Sequence, residues 1–187
     1  MLKTGNLTTA DLIFSRQGVQ QDSILIGMGT ILVALCAQIE IPLYPVPITG
    51  QTFGVLLIAA LLGANRGAMS MLGYLALGAA GLPVFAGGAT GLTAFMGPTA
   101  GYLVGFVVAA YLVGFLSERG WDKHFPSAVL SMVLGTMVIL LCGVIGLSGF
   151  VGWDQVLQLG VYPFLIGAGI KIGLAAAILP QARRFVS

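Results

Sequence analysis

The sequence predicts an all-α integral membrane protein with six transmembrane helices, both termini cytoplasmic, and a glycine-rich outer loop after the third helix. Three observations predict it. Hydrophobic residues make up 58% of the 187 positions and charged residues 7%, with a mean hydropathy of +1.02. A soluble domain carries roughly 25% charged residues to cover its surface. The apolar residues also fall in runs broken by proline, glycine or charge, and at about 20 residues per span six helices take about 120 residues. Finally, six spans place Lys3, Arg16, Arg66, Arg119, Lys123, Arg183 and Arg184 on one side, against Glu40 and Asp154 on the other. Lysine and arginine accumulate in the cytoplasm, so this is a multi-pass protein of the cell membrane. The net charge of +2 is too small to imply nucleic acid.

Residues 1–22 hold Lys3, Asp11, Arg16 and Asp22 without a long apolar core, and read as a polar cytoplasmic tail. Residues 23–187 form the membrane domain. Its first span runs from near Ser23 to Glu40–Ile41–Pro42, where proline stops a helix. A stiff segment, PLYPVPITG, follows at 42–50. The runs 51–63 and 67–80 flank Ala64–Asn65–Arg66. Each reaches only about 20 Å, short of the roughly 30 Å hydrocarbon core. They extend into the flanking segments or form short helices packed inside the protein. Residues 81–97 are glycine-rich and uncharged, and are expected to form a lid, since glycine permits unusual backbone angles. Pro98–Thr99 open a span to about Leu116, and a polar loop follows at 117–125. The next span covers about Ala128 to Leu147, and Gly149 to Gly160 form a second outer linker. Pro163 opens the last span, which is expected to end at Pro180.

Lys171 is the most informative residue for chemistry. It lies eight positions past Pro163, roughly 12 Å along the helix. A lysine at membrane depth costs at least ~2.5–3.5 kcal/mol, and no acidic residue falls inside any span to neutralise it. Its helical neighbours Gly167, Ala168 and Ala175 are small, which leaves space for an anionic or carbonyl-bearing solute. The alternative is a side chain that snorkels to the interface. Thr99 stands where a helix begins, which is either an ordinary helix start or a turn whose free N–H groups hold a carboxylate. Thr49, Gln51 and Thr52 enter an apolar run from the stiff outer segment; they are helix caps or ligand contacts, and an amide such as Gln51 suits a cyclic urea. Tyr74, Phe85, Phe95, Tyr102, Trp153 and Tyr162 supply aromatic surface, with an interfacial belt as the other reading for Trp153 and Tyr162.

Ser23, Gly27, Thr30, Ala34 and Ala37 share one face of the first helix, the pattern that lets another helix approach. A partner subunit or an internal neighbour accounts for it equally. Gly146–Leu147–Ser148–Gly149 looks like a rhomboid protease motif, but a nucleophilic serine needs a base, and His124 sits on the opposite side. With that single histidine, Cys36 and Cys142 read as free thiols and not as metal ligands. No phosphate-binding glycine–lysine loop is present, so no nucleotide hydrolysis is expected of this chain.

The segments PVPITGQTFGVLL (45–57), GYLALGAAGLPVFAGG (73–88) and GPTAGYLVGF (97–106) together resemble the BioY family, the biotin-binding S-components of energy-coupling-factor vitamin transporters. The resemblance covers about residues 23–184. It implies a six-helix protein that captures biotin from the outer side in a largely enclosed pocket. It also implies partners, a transmembrane coupling subunit and two cytoplasmic ATPases that drive release inside, although some members are proposed to work without them. Biotin is then cargo, with no cofactor. Thr49 and Gln51 match the family's Pro-x-Thr-x-Gln segment, Phe85 its outer loop, and Thr99 and Tyr102 its Gly-Pro-Thr-x-Gly-Tyr. Lys171 matches the lysine of Pro-Gly-Asp-x-x-Lys, but Ala168 stands where the aspartate is usual. The alanine pair four apart that serves S-component docking is also missing, since Ala34 and Ala37 are three apart. The expected ligand contacts are Lys171, Gln51, Thr49, Tyr74, Phe85, Thr99 and Tyr102, with Ser23, Gly27, Thr30, Ala34 and Ala37 for partner docking. The remaining alternatives are an S-component for another vitamin, an intramembrane hydrolase, or a purely structural subunit.

Overall fold

The computed structural model describes residues 8–13 and 18–184; Lys3 and Arg16 of the charge map lie outside them. Helices α1 (Thr9–Ile13) and α2 (Val19–Ala37) lead into a small antiparallel hairpin of β1 (Glu40–Ile41) and β2 (Ile48–Thr49). Then come α3 (Gln51–Leu62), α4 (Ala64–Ala79), two short 3-10 turns at Ala86–Gly88 and Leu92–Met96, α5 (Ala100–Glu118), α6 (Phe125–Val151), α7 (Val156–Gly160) and α8 (Tyr162–Arg184). Among the described residues, α2, α5, α6 and the stretch Val156–Arg184 are long and apolar enough to cross a membrane. Helix α3, with 12 residues, is only about 18 Å long. It is packed inside the protein, with Val55, Leu56, Ala59 and Ala60 among its buried residues.

Small residues set the closest approaches. A Cβ added at Gly101 or Gly105 of α5 would run into the backbone of α6 at Cys142 and Ile139. Contact of this kind replaces the hydrophobic drive that two helices lack in lipid.

One end of the bundle is tied by charge. Arg66 of α4 pairs with Asp11 of α1 at 2.6 Å and Asp22 of α2 at 2.7 Å. The segment read as a polar tail is therefore partly packed, and Thr8, Thr9 and Ala10 are buried. Burial works against the Asp11 charge, but hydrogen bonds from Arg66 and Thr8 outweigh it and hold the carboxyl below its ordinary range. Glu118 accepts from the Ala64 N–H at 2.8 Å and so caps α4. Asp122 accepts from Arg183 at 2.5 Å and from the Thr9 hydroxyl at 3.3 Å.

That last pair explains a correction. Pro180 does not end the final helix but lies inside α8, which continues to Arg184. Proline removes one backbone donor, yet buried Leu179 on one side and the Arg183–Asp122 pair on the other hold the helical path. The second outer linker is also shorter than expected: α6 runs on to Val151, Gly152 breaks it at φ 78, and α7 follows with Val156 buried. A third correction concerns the small-residue face of α2. Thr30 and Ala37 are buried within the protein, and the Thr30 hydroxyl donates to the Ser70 carbonyl of α4 at 2.9 Å. Thr30 serves an internal neighbour and Ala37 is closed off inside the protein, so neither is presented to a separate subunit. The face of α2 turned outward is Ile24, Met28, Ile31 and Leu35.

Candidate solute-binding site

A cavity of about 240 Å³ opens among the hairpin, the 81–97 loop and three long helices. Helical spacing explains what lines it. Thr99, Tyr102, Leu103 and Phe106 recur at the three- and four-residue intervals that share one face of α5. Phe164, Ala168 and Lys171 do the same on α8, and Thr136, Ile139 and Leu140 on α6. The end of the hairpin and first turn of α3 contribute Thr49, Gln51 and Thr52, while the loop contributes Phe85 and three alanines.

Lys171 does not snorkel. Its ammonium donates to the Thr49 carbonyl at 2.5 Å and to the Thr52 hydroxyl at 3.0 Å, and it borders the cavity. Among the described residues no carboxylate pairs with it. Gln51 is held from both ends: its amide N–H donates to the Tyr74 hydroxyl at 2.5 Å, and its carbonyl accepts from the Thr49 hydroxyl at 2.8 Å. An amide NH2 and a carbonyl oxygen each retain further capacity, so Gln51 is oriented without being exhausted.

Of the expected ligand contacts, Thr49, Gln51, Phe85, Thr99, Tyr102 and Lys171 line the cavity, and Tyr74 does not. Tyr74 is fully buried behind them, fixed by Gln51 and by the Phe85 ring set edge-on at 5.4 Å. It supports the wall and is not part of it. Tyr102 presents its ring while its hydroxyl donates to the Gly160 carbonyl at 2.7 Å, which ties α5 to α7. Trp153 and Tyr162, at 69% and 59% exposed, stand outside the cavity and do not form its wall. Ser148 donates to the Ile145 carbonyl near one end of α6, and His124 caps the other, about 36 Å away along the helix. A serine–histidine pair is therefore ruled out by geometry.

Sequence reasoning missed Thr136, Phe106 and Phe164 as lining residues. Thr136 was the detectable one, as a hydroxyl in the middle of an apolar run; the phenylalanines carry no such signal. It also missed Gln38, whose amide donates to the Phe85 carbonyl at 3.3 Å and pins the loop to the end of α2.

A mostly helical bundle built to sit in lipid, with a cavity whose described lining offers apolar and aromatic walls, neutral hydrogen-bonding groups and one cation, defines a membrane protein suited to hold a small polar solute. The model of the BioY family matches residues 8–187, and the chain belongs to the BioY family. It is 39% identical over 159 residues to the biotin transporter BioY of Thermotoga maritima, covering 84% of this chain and 93% of that one. It is 37% identical over 154 residues to the probable biotin transporter BioY of Pyrococcus horikoshii, covering 82% and 91%. Its fold is similar to the crystal structure of the S-component for biotin from an ECF-type ABC transporter, with a TM-score of 0.75 at 26% identity, over 90% of this chain and 95% of that one.

Proposed function

We propose that this chain binds biotin and serves as the uptake subunit of a membrane vitamin transporter, capturing biotin from the outer side and releasing it inside when coupled to an ATPase module. The relatives named for biotin supply the cargo. The observation that carries the reading is Lys171 beside an oriented Gln51 on one enclosed cavity, since biotin joins an anionic tail to a hydrogen-bonding ring and an apolar body. Six membrane helices with both termini cytoplasmic remain the topology best supported by the charge asymmetry. A transmembrane coupling subunit and two ATPases complete the transporter in this reading. Of the face proposed for docking, Ser23 is exposed and Gly27 and Ala34 are half-buried, which leaves these three for a partner.

Purified protein is expected to carry biotin, and biotin is expected to compete for the site where thiamin and riboflavin do not. Competition by either of those without competition by biotin overturns the assignment. The uncharged 81–97 loop acts as the lid, held closed by Gln38. Cross-linking cysteines introduced at Gln38 and Ala86 is expected to block biotin entry. Uptake that survives complete cross-linking removes the loop from the mechanism.

A further inference from the structure

We infer that the turn between α5 and α6, at the charged end of the bundle, is a docking surface for anionic phospholipid headgroups, with Arg119 and Lys123 as the groups that take the phosphate. The inference is independent of what the cavity binds. It starts from how charge is sorted at this end. The acids are consumed inside the protein: Asp11 and Asp22 pair with Arg66, Asp122 pairs with Arg183, and Glu118 accepts from the Ala64 N–H. The cations are left outside. Arg119, Lys123 and Arg184 are exposed, and among the described residues no carboxylate pairs with any of them.

Two contacts fix where the first two cations point. The Arg119 guanidinium lies 3.6 Å over the Phe115 ring, one turn back along α5, so it turns toward the apolar stretch of that helix and not away into water. Lys123 folds back across the turn: a Cβ on Gly120 would lie 3.2 Å from its Cε and 3.5 Å from its Nζ. Its ammonium therefore rests against the residue that follows Arg119, and two like charges are gathered on one tight turn. They repel each other unless an anion joins them. Phe125, 52% exposed just after the turn, adds an apolar ring beside the cations. Cations next to apolar side chains at the end of a membrane helix fit a ligand with a negative headgroup and acyl chains. A zwitterionic headgroup brings its own cation to the same place and fits less well.

The test is the association of spin-labelled phosphatidylglycerol and spin-labelled phosphatidylcholine with the purified full chain in phosphatidylcholine vesicles. Phosphatidylglycerol is expected to be preferred about fivefold or more, the factor that one cation near an anionic surface supplies. With Arg119→Gln and Lys123→Gln together, the preference is expected to fall below about twofold. No preference in the parent, or an unchanged one in the folded double variant, overturns the assignment. Sodium chloride at about 1 M, where the screening length is about 3 Å, is expected to abolish the preference. One that survives overturns charge as its cause, and this arm needs only the parent, so it decides even if the double variant fails to fold. Inorganic phosphate that removes the preference where chloride at equal ionic strength does not reveals a site for a free anion and overturns the lipid as its occupant.

Discussion

Exchanging Lys171 for methionine is expected to weaken biotin binding by more than tenfold, about 1.4 kcal/mol, measured on the purified protein. Methionine preserves an unbranched apolar stem and removes the ammonium, so the shape of the α8 wall changes little while the cavity loses its charge. The effect on the empty protein runs the other way. An ammonium held at membrane depth by two neutral oxygens is a burden on the fold. Its loss is offset in part by leaving the Thr49 carbonyl without that donor. Thermal unfolding without ligand is therefore expected to be unchanged or shifted upward, together with the loss of affinity. A methionine variant that binds biotin as tightly as the parent removes Lys171 from the site. One that loses binding only because it unfolds makes the residue structural.

The second large effect is expected at the opposite end of α8. Arg183→Met leaves Asp122, 2% exposed, with the Thr9 hydroxyl as its one remaining donor among the described residues. Removing one member of a buried ion pair typically costs about 3–5 kcal/mol, because the remaining charge keeps its desolvation penalty. Replacing both, as Arg183→Met with Asp122→Leu, is expected to recover most of the loss, since apolar substitutes for a buried pair are often neutral. Thermal unfolding in detergent of the single and double variants measures this. A single-variant loss below about 1 kcal/mol shows the pair to be screened like a surface one. Biotin affinity of the folded fraction is expected to hold, because Arg183 lies about 18 Å along the helix from Lys171.

The sequence by itself determined the class of protein, because composition decides which solvent a chain tolerates and needs no coordinates. It also placed the helix starts near Pro98 and Pro163 and marked the run 51–63 as too short for an ordinary span, leaving open whether it extends or packs inside, since proline chemistry and span length are one-dimensional properties. Lys171 was legible for the same reason, as a cation inside an apolar run is anomalous whatever surrounds it. Only the tertiary structure decided which faces point inward. Core and lipid are equally apolar, so the periodic contrast that marks the buried side of a soluble helix is absent. Thr30 therefore turned to α4 and Ala37 into the core, Tyr74 stood behind the wall it was expected to line, and Phe106 and Phe164 reached the cavity unannounced. Pro180 lies inside a helix whose far end is tied by Arg183 to Asp122, 61 residues before Arg183 in the chain, a distance over which local propensity carries no information.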